Sequence, residues 1–352
     1  MSCKSIFYEA QLCKVLEESN LANAVGSSET SKGGRIRIAI YAIGGNALSN
    51  PKGGDIKAQS LALAKVLSDI VDLLESGYRV VVTHGNGPQV GDLLMLEERA
   101  TRNDSKDISA STFVRKRIGL DSWVAATQGM IGHELALNLE SVLHRRARPE
   151  RTAVVLTRVE VNPSDPAFDF PTKPIGPILS DKAVMSEDWD IAATANGARR
   201  VVASPKPISI LDSELIHTLV REGAVVFCGG GGGIPVIRKE SHWVGIPAVI
   251  DKDRLSALLA IELNADLFVI STAIDSLRIN FGQPNEEVLT QLTCQQAEAG
   301  VSSGEFPAGS MGPKVEAMAW AKISLPECKV LMCQPGDAMK AVRGITGTTL
   351  QN

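Results

Sequence analysis

The stretch Arg35-Ile-Arg-Ile-Ala-Ile-Tyr-Ala-Ile-Gly-Gly-Asn46 carries the pattern that decides the fold. Its apolar run is rich in isoleucine and ends at a glycine pair, which predicts a buried strand over 36–43. Further along, apolar residues at helical spacing predict a helix over about 56–76, and a short apolar run predicts a strand over 79–83. Strand, helix and strand in this order indicate a βαβ unit with parallel strands.

The same alternation continues to the end of the chain. Helices are predicted over about 89–100, 122–144, 212–222, 253–264, 310–323 and 335–342. Strands are predicted over about 152–159, 200–203, 224–228, 267–271 and 329–333. This order is typical of an α/β protein whose mostly parallel sheet is covered by helices on both faces. Ligands bind such sheets at the carboxyl ends of the strands.

The sequence divides into three parts. Residues 1–34 predict an N-terminal extension that ends in a polar linker, 35–342 predict one large domain, and 343–352 predict a C-terminal tail. Within the domain we expect an acid-substrate half over 35–199 and a nucleotide-binding half over 200–342.

A proline-rich segment interrupts the first half at about 160–181. It contains Pro171-Thr-Lys-Pro-Ile-Gly-Pro177, and prolines at this density cannot continue a helix or a central strand. We therefore predict a loop or small subdomain that projects from the sheet.

Composition and residue patterns exclude several classes of protein. The chain has 352 residues, a formal net charge of −4 and a pI of about 5.8, so it has no general attraction to nucleic acid or to an anionic membrane. No apolar run approaches the roughly 20 residues that span a bilayer. The six cysteines and five histidines show no metal-ligand spacing, and no serine lies in a Gly-x-Ser-x-Gly turn. We expect a cytoplasmic protein with reduced thiols and no metal site formed by side chains.

Four glycine-rich turns follow predicted strands or open predicted helices. They are Gly44-Gly45-Asn46, Gly85-Asn86-Gly87-Pro88, the five glycines 229–233 and Gly309-Ser-Met-Gly-Pro-Lys314. Glycine lets backbone N–H groups converge on an anion, and a helix that begins just after adds its positive end. For Gly44-Gly45-Asn46 taken by itself, an ordinary turn between strand and loop is a serious alternative to anion binding. Five successive glycines cost so much backbone entropy that stability does not explain them. We therefore expect one phosphate site built from several turns.

Three lysines lie in contexts unlike that of a solvated surface lysine. Lys173 is flanked by prolines, Lys252 lies between Asp251 and Asp253, and Lys314 follows a glycine-proline pair. Each alone is more often a solvated charge. Together they suit phosphoryl transfer, in which catalysis consists mostly of positioning and charge compensation. Either aspartate is placed to orient Lys252 through a charge-assisted hydrogen bond.

From about 35 to 342 the sequence resembles the amino acid kinase superfamily and, within it, the carbamate kinase branch. The ordered motifs are highly specific as a set. They are Gly44-Gly-Asn-Ala47, His84-Gly-Asn-Gly-Pro-Gln-Val-Gly91, Thr127-Gln-Gly-Met-Ile-Gly132, Asp165-Pro-Ala-Phe168, Pro171-Thr-Lys-Pro-Ile-Gly-Pro177, Gly230-Gly-Gly-Gly-Ile-Pro-Val236, Val249-Ile-Asp-Lys-Asp253, Ile279-Asn-Phe-Gly282 and Gly309-Ser-Met-Gly-Pro-Lys-Val315.

The resemblance implies an open αβα sandwich around a mostly parallel sheet, with a small projecting subdomain, and a homodimer. It also implies reversible transfer of the γ-phosphoryl group of ATP to carbamate, often run from carbamoyl phosphate toward ATP. ATP or ADP and carbamate or carbamoyl phosphate would then be the partners. Mg²⁺, held mainly by the phosphates, would be the cofactor.

The resemblance also assigns roles to residues. The acceptor and the transferred phosphoryl group would be bound by Gly44, Gly45, Asn46, Gly85, Asn86 and Gly87. Asp253 would organise the lysines, and the catalytic set would be Lys173, Lys252, Asp253 and Lys314. The nucleotide would be lined by Gly230, Gly231, Thr272, Ala273, Asp275, Phe281, Met311 and Lys314. Other branches of the superfamily place a lysine where this chain has Ala42, and in the carbamate kinase branch a subdomain lysine, matched by Lys173, is expected to help instead.

Two other functions stay open. A kinase of another small carboxylic acid would keep the fold and the chemistry, although the absence of a lysine at Ala42 disfavours the acetylglutamate kinases. A non-catalytic sensor of carbamoyl phosphate or nucleotide is disfavoured by the intact lysines and glycine turns. Departures from the family pattern at Ile118-Gly119, His133 and Ala203 leave room for a different acceptor.

Overall fold

The computed structural model of the chain describes residues 35–44, 56–86, 89–103, 118–180, 189–194, 197–307, 309 and 311–352. The predicted extension, 1–34, lies outside the described residues, and so do the site candidates Gly45, Asn46 and Gly87.

Helices and strands alternate along the described residues as the apolar pattern predicted. The helices are α1 (Ile56–Glu75), α2 (Gln89–Asn103), α3 (Leu120–Arg145), α4 (Ser213–Arg221), α5 (Lys252–Glu262), α6 (Cys294–Ser303), α7 (Gly312–Ser324) and α8 (Ala338–Val342). The strands are β1 (Arg37–Ile43), β2 (Tyr78–His84), β3 (Thr152–Val154), β4 (Arg158–Val161), β5 (Lys173–Ile175), β6 (Ile191–Thr194), β7 (Gly197–Val202), β8 (Pro207–Ile210), β9 (Val225–Phe227), β10 (Ile234–Lys239), β11 (His242–Gly245), β12 (Leu267–Ser271), β13 (Leu277–Ile279), β14 (Glu287–Leu289), β15 (Gln291–Thr293), β16 (Lys329–Cys333) and β17 (Thr348–Gln351).

The largest sheet runs in the order β15-β17-β16-β12-β1-β2-β9-β3. Strand β1 lies inside it, parallel to β12 and β2, so that Ile40 stands opposite Phe268 on one side and Val81 on the other. The parallel pairing continues to β16 and, past β2, to β9 and β3. Parallel neighbours need crossover connections, and helices supply them here. The predicted mostly parallel sheet is therefore confirmed.

Both faces of this sheet are buried under helices. Alternate residues of β1 point into two separate cores, with Ile40 in one and Tyr41 in the other, both without solvent exposure. Helices α1 and α3 cover the Tyr41 face, where Leu67 packs, and α5 and α7 cover the Ile40 face, where Leu255 packs. This is the expected open αβα sandwich. No helix within the described ranges is long and apolar enough to cross a membrane.

Besides the two-stranded hairpin β13-β14, the described residues form two smaller sheets, in the orders β11-β10-β4-β8 and β5-β7-β6. The segment predicted to project at about 160–181 supplies β5, which is an edge strand paired antiparallel with β7. The projecting unit extends beyond the predicted 160–181, because β6 and β7 belong to the same sheet as β5. Strand β7 (Gly197–Val202) also spans the boundary predicted between the two halves at 199 and 200. An edge strand with a proline needs a partner from elsewhere in the chain, and composition does not reveal that partner.

Two further predictions are corrected by the sheet topology. The strand predicted over 152–159 is divided into β3 of the main sheet and β4 of the four-stranded sheet. Between them Thr157 N donates to Gln128 Oε1 at 2.9 Å, which turns the chain from one sheet into the other. The predicted tail, 343–352, contributes β17, which pairs antiparallel with β16 and parallel with β15. Leu350 of β17 is buried, so these residues belong to the core.

Candidate active site

Described residues of three of the four turns predicted to bind phosphate lie at one edge of the main sheet. Gly44 follows β1, Gly85 follows β2, Gly229 comes soon after β9 and Thr272 follows β12. These four strands are neighbours in the order β12-β1-β2-β9. Because parallel strands end at the same edge, the loops that follow them converge. The structure therefore brings Gly44, Gly85 and Asn86 of the predicted acceptor set together with Thr272 of the predicted nucleotide set.

Gly44 shows how closely two of these loops approach. Its N–H donates to the carbonyl oxygen of Ser271 at 2.8 Å. A Cβ on Gly44 would lie 2.7 Å from that same oxygen and 3.3 Å from Cα of Thr272. Gly44 thus permits the contact between the ends of β1 and β12, and its amide is engaged there. This differs from the expectation that the amide of Gly44 faces an anion.

The second turn begins with two buried side chains, His84 and Asn86. The ring Nδ1 of His84 lies 2.9 Å from the carbonyl oxygen of Gly85, and since a carbonyl only accepts, Nδ1 carries the proton. Burial lowers the pKa of His84, the bond to Gly85 opposes this and the charge of Lys252 adds to the lowering, so that the pKa is about 4. His84 is therefore neutral at pH 7 and shapes the turn from within the protein.

The five glycines pack against this second turn. A Cβ on Gly230 would lie 2.4 Å from the His84 ring, and one on Gly231 would lie 2.4 Å from Nδ2 of Asn86. The N–H of Gly229 donates to the hydroxyl of Thr157 at 2.8 Å, which fixes the start of the run. Only glycine fits at 230 and 231, because a larger residue would overlap His84 or Asn86. This location also places Gly230 and Gly231 beside the predicted acceptor turn, whereas Thr272 lies beside Gly44.

Asp251 and Asp253 occupy the N-terminal turn of α5. Asp251 is the N-cap, and its Oδ1 accepts hydrogen bonds from the N–H groups of Asp253 at 2.9 Å and Arg254 at 3.3 Å. This capping fixes the backbone of Lys252 and of the neighbouring aspartate. The sequence alone suggested no separate partner for Asp251.

Three lysines from three parts of the chain converge on these two carboxylates. Asp253 binds Nζ of Lys252 through Oδ1 at 2.6 Å and Nζ of Lys314 through Oδ2 at 2.9 Å. Oδ2 of Asp251 binds Nζ of Lys173, at the start of β5, at 2.6 Å. The projecting subdomain and the sandwich therefore meet through an ion pair. The structure brings together all four residues of the predicted catalytic set.

The electrostatics of this cluster keep the carboxylates ionised. Burial by itself raises the pKa of Asp251, but the charge and hydrogen bond of Lys173 outweigh it and the pKa falls below its usual range. Burial likewise raises the pKa of Asp253, and Lys252 and Lys314 together outweigh it. Burial lowers the pKa of Lys314, but the attraction of Asp253 more than restores it, so the pKa is raised.

Counting charges shows what the cluster offers to a ligand. Three ammonium groups face two carboxylates, which leaves one positive charge in excess. The side chains of Lys252 and Lys314 are only 12% and 17% exposed, so water screens them poorly and an anion here would feel them strongly. The arrangement suits a ligand that carries several negative oxygens.

The cluster does not resemble a metal cage. Among the described residues no group of three or more His, Cys, Asp or Glu side chains could hold a metal ion. Asp251 and Asp253 are already occupied by lysines.

The residues predicted to line the nucleotide are spread over a wider region. The N–H of Thr272 donates to Cys333 O at 2.9 Å, at the carboxyl ends of β12 and β16. Asp275 binds Arg278 at 3.0 Å near the β13–β14 hairpin. Phe281 is 74% exposed. Ala273 lies in the same loop as Thr272, and Met311 precedes α7, which carries Lys314.

The sequence analysis quoted Thr127 and Gln128 within a motif without giving them a role, and it did not single out Thr157. The side-chain amide of Gln128 forms hydrogen bonds with the backbone N–H and carbonyl of Thr157. The hydroxyl of Thr157 accepts a hydrogen bond from the N–H of Gly229, where the glycine run starts. Thr127 lies 3.5 Å from Nδ2 of Asn86. All three are buried, two of them within the long helix α3. Adjacent polar residues on a buried helix face were the available signal, because buried polar groups need partners.

Comparison with known proteins agrees with this geometry. The model of the amino acid kinase family matches residues 37–330. The carbamate kinase-like protein YqeA of Escherichia coli is 40% identical over 88% of this chain and 98% of its own length. Carbamate kinase 1 of Enterococcus faecium is 42% identical over 79% of this chain and 87% of its own.

Solved structures give the same result. The carbamate kinase from Giardia lamblia bound to AMP-PNP superposes with a TM-score of 0.77 at 31% sequence identity, covering 90% of this chain and 98% of that one. The catalytic set, the glycine turns and the subdomain lysine all lie within the matched region. The chain belongs to the amino acid kinase family and, within it, to the carbamate kinases.

Proposed function

We propose that this protein transfers the γ-phosphoryl group of ATP reversibly to carbamate and runs readily from carbamoyl phosphate toward ATP. The observation that carries the proposal is the cluster of Lys173, Lys252 and Lys314 around two carboxylates, at the edge where the acceptor turns end. The relatives named as carbamate kinases support carbamate as the acceptor.

The lysines compensate the charge of the moving phosphoryl group. Asp253 holds Lys252 and Lys314 apart on its two oxygens, so both ammonium groups are in place before the substrate binds. Such preorganisation avoids the cost of reorienting charges during the reaction. Lys173 comes from the projecting subdomain and binds Asp251. The proposed acceptor residues are those predicted from the sequence, Gly44, Gly45, Asn46, Gly85, Asn86 and Gly87.

Mg²⁺ is the proposed cofactor and would supply further charge compensation when bound with the nucleotide. Its ligands are proposed to be mainly phosphate oxygens, in keeping with the lysine-occupied carboxylates Asp251 and Asp253. Thr272, Ala273, Asp275, Phe281 and Met311 remain proposed contacts of the nucleotide.

We further propose a homodimer in the cytoplasm. The described cysteines Cys228, Cys294, Cys328 and Cys333 are free, which suits a reducing compartment. Sedimentation analysis should give a single species of twice the chain mass of 37.4 kDa. A monomer at micromolar concentration would refute the dimer without affecting the proposed reaction.

The proposed function is tested by ATP formation from ADP, Mg²⁺ and carbamoyl phosphate. We expect turnover by the wild type and a loss well beyond about tenfold in Lys252→Ala and in Lys314→Ala, because each variant removes a charge that stabilises the transition state. Lys340→Ala, on α8, is the control, since its side chain is 61% exposed and its ion pair among the described residues is with Asp337, the residue before α8.

The same assay separates the rival functions. A kinase of another acid would make no ATP from carbamoyl phosphate but would phosphorylate a different carboxylate. A sensor would bind carbamoyl phosphate or nucleotide and show no turnover for the lysine variants to lose. Either result with folded protein would overturn the proposed function.

A further inference from the structure

The projecting subdomain meets the sandwich through a defined set of contacts, here called the subdomain interface. On the sandwich side it consists of Val90, Gly91, Leu94 and Glu98, all on α2. On the subdomain side it consists of Ile175, Gly176, Arg199 and Arg200. The two groups lie close to Lys173, which begins β5 two residues before Ile175.

We infer that Gly91 and the Arg200–Glu98 ion pair are positioning residues that set Lys173 in the active site. This inference rests on the proposed function, in which Lys173 takes part in phosphoryl transfer. It adds two determinants of the position of Lys173, and neither of them belongs to the catalytic set.

The first observation is the contact between Gly91 and Gly176. A Cβ on Gly91 would lie 2.0 Å from the backbone N of Gly176 and 2.2 Å from its Cα. Both partners are backbone, so no flexible side chain can move aside. Gly176 itself has a φ of +66°, a conformation that favours glycine. Two glycines thus bring α2 and the end of β5 into direct contact, three residues after Lys173.

The second observation is that two arginines of the subdomain make polar contacts with Gly176 and with α2. The guanidinium of Arg199 donates to the carbonyl oxygen of Gly176 at 2.6 and 3.1 Å. Arg200 binds Glu98 of α2 at 2.8 Å and lies over the ring of Trp189 at 4.7 Å. Both members of the ion pair are about one-fifth exposed, so the pair is partly shielded from water.

The third observation is a small apolar core that belongs to neither large core of the sandwich. Ile175 is buried there together with Val90 and Leu94 of α2, Val124 of α3, and Val249. Val249 comes two residues before Asp251, the partner of Lys173. Ile175 and Val249 of this small core are each two residues from one member of the ion pair between Lys173 and Asp251.

Helix α2 joins this interface to the acceptor turn. It begins at Gln89, whose N–H donates to the carbonyl oxygen of Asn86 at 3.0 Å. Gly91 lies within its first turn. Contacts therefore link Asn86, the glycine pair and Lys173, and a displacement at Gly91 is passed to Lys173.

The test is a double-mutant cycle between Gly91→Ala and Lys173→Ala in the ATP-forming assay. We expect Gly91→Ala to lower kcat by about tenfold or more and to change the KM for ADP by less than about twofold. In the Lys173→Ala background the same change should cost less than about twofold, because the group it positions is absent. Gly129→Ala is the control, since a Cβ there meets nothing within 4 Å. Equal losses in both backgrounds would overturn the inference.

A charge exchange covers the case in which Gly91→Ala does not fold. Arg200→Glu and Glu98→Arg should each lower kcat by several fold, and the double variant should recover most of the loss because the ion pair is restored with reversed polarity. Failure of the double variant to recover any activity, with the protein folded, would count against the ion pair as a determinant.

A readout without turnover separates this inference from the proposed function. Acetic anhydride labelling of Lys173, quantified by mass spectrometry, reports how firmly Asp251 holds its ammonium group. We expect labelling at least about threefold faster in Gly91→Ala and Arg200→Glu, and wild-type rates in Gly129→Ala. If the wild type makes no ATP, the proposed function fails and the labelling still decides whether the interface positions Lys173. Unchanged labelling would overturn the inference even where turnover is present.

Discussion

Oδ2 of Asp253 lies 2.9 Å from Nζ of Lys314, 61 residues further along the chain. The other oxygen of the same carboxylate holds Lys252 at 2.6 Å. One buried side chain, 3% exposed, therefore pairs with two ammonium groups that belong to different helices, α5 and α7.

Asp253→Asn should destabilise the protein strongly. The amide removes the only negative charge in contact with Lys314 that the structure describes, and leaves two buried ammonium groups facing each other. Breaking a buried ion pair by removing one partner typically costs about 3–5 kcal/mol. Urea unfolding at pH 7 measures the change. Asp275→Asn, at a half-exposed ion pair with Arg278, is the control and should cost less than about 1 kcal/mol. Equal stability of the two variants would contradict this account.

Gly231→Ala should disrupt the acceptor turn. The new Cβ would lie 2.4 Å from Nδ2 of Asn86, and the residue has a φ of +66°. Gly304→Ala separates these two effects, since Gly304 has a φ of +80° but meets nothing within 4 Å. We expect about 1–2 kcal/mol of lost stability in Gly304→Ala from backbone strain alone, with activity unchanged. Gly231→Ala should lose more stability and more than about tenfold in kcat/KM. Equal losses of stability and of kcat/KM in the two variants would show that the contact with Asn86 contributes nothing.

Much of this fold was predictable because the pattern is local. The isoleucine-rich run that forms β1 is buried on both faces, so its apolar character is continuous and easy to detect. The motifs around Lys252 and Lys314 were equally visible. The roles proposed for them from the sequence stay predictions until the variants are measured.

The remainder was not predictable because it depends on contacts between distant residues. Nothing near Lys173 in the sequence indicates that its partner is Asp251, 78 residues away. The short strands β5 and β17 carry too few apolar residues to reveal a sheet partner. The glycines 229–233 suggested a ligand, whereas the structure shows that His84 and Asn86 already occupy the space beside Gly230 and Gly231.

Asp69 should make the protein less stable as the pH rises. It is buried on α1 and accepts hydrogen bonds from the hydroxyl of Tyr41 and the N–H groups of Gly336 and Ala338. Burial raises the pKa of Asp69 to about 7 despite these bonds. The folded state therefore binds a proton that the unfolded state has released above its pKa of 3.8.

The stabilising effect of this proton is complete below pH 3.8 and is lost as the pH approaches 7. The unfolding free energy of the wild type, relative to that of Asp69→Asn, should fall by about 4 kcal/mol across this range. Urea unfolding of both proteins at several pH values measures the difference. A difference that is constant or rises with pH would show that Asp69 is ionised throughout.

His84 should act in the opposite direction. Its ring is neutral in the folded state, because burial lowers the pKa to about 4, and it takes up a proton below pH 6.5 once the chain unfolds. Between these values the unfolded state binds more protons, so stability rises with pH. Relative to His84→Gln, the wild type should gain about 3 kcal/mol between pH 4 and pH 6.5 and nothing above. If His84→Gln keeps the pH dependence of the wild type, the imidazole is protonated in the folded protein, and a charge rather than a neutral ring lies beside the glycine run.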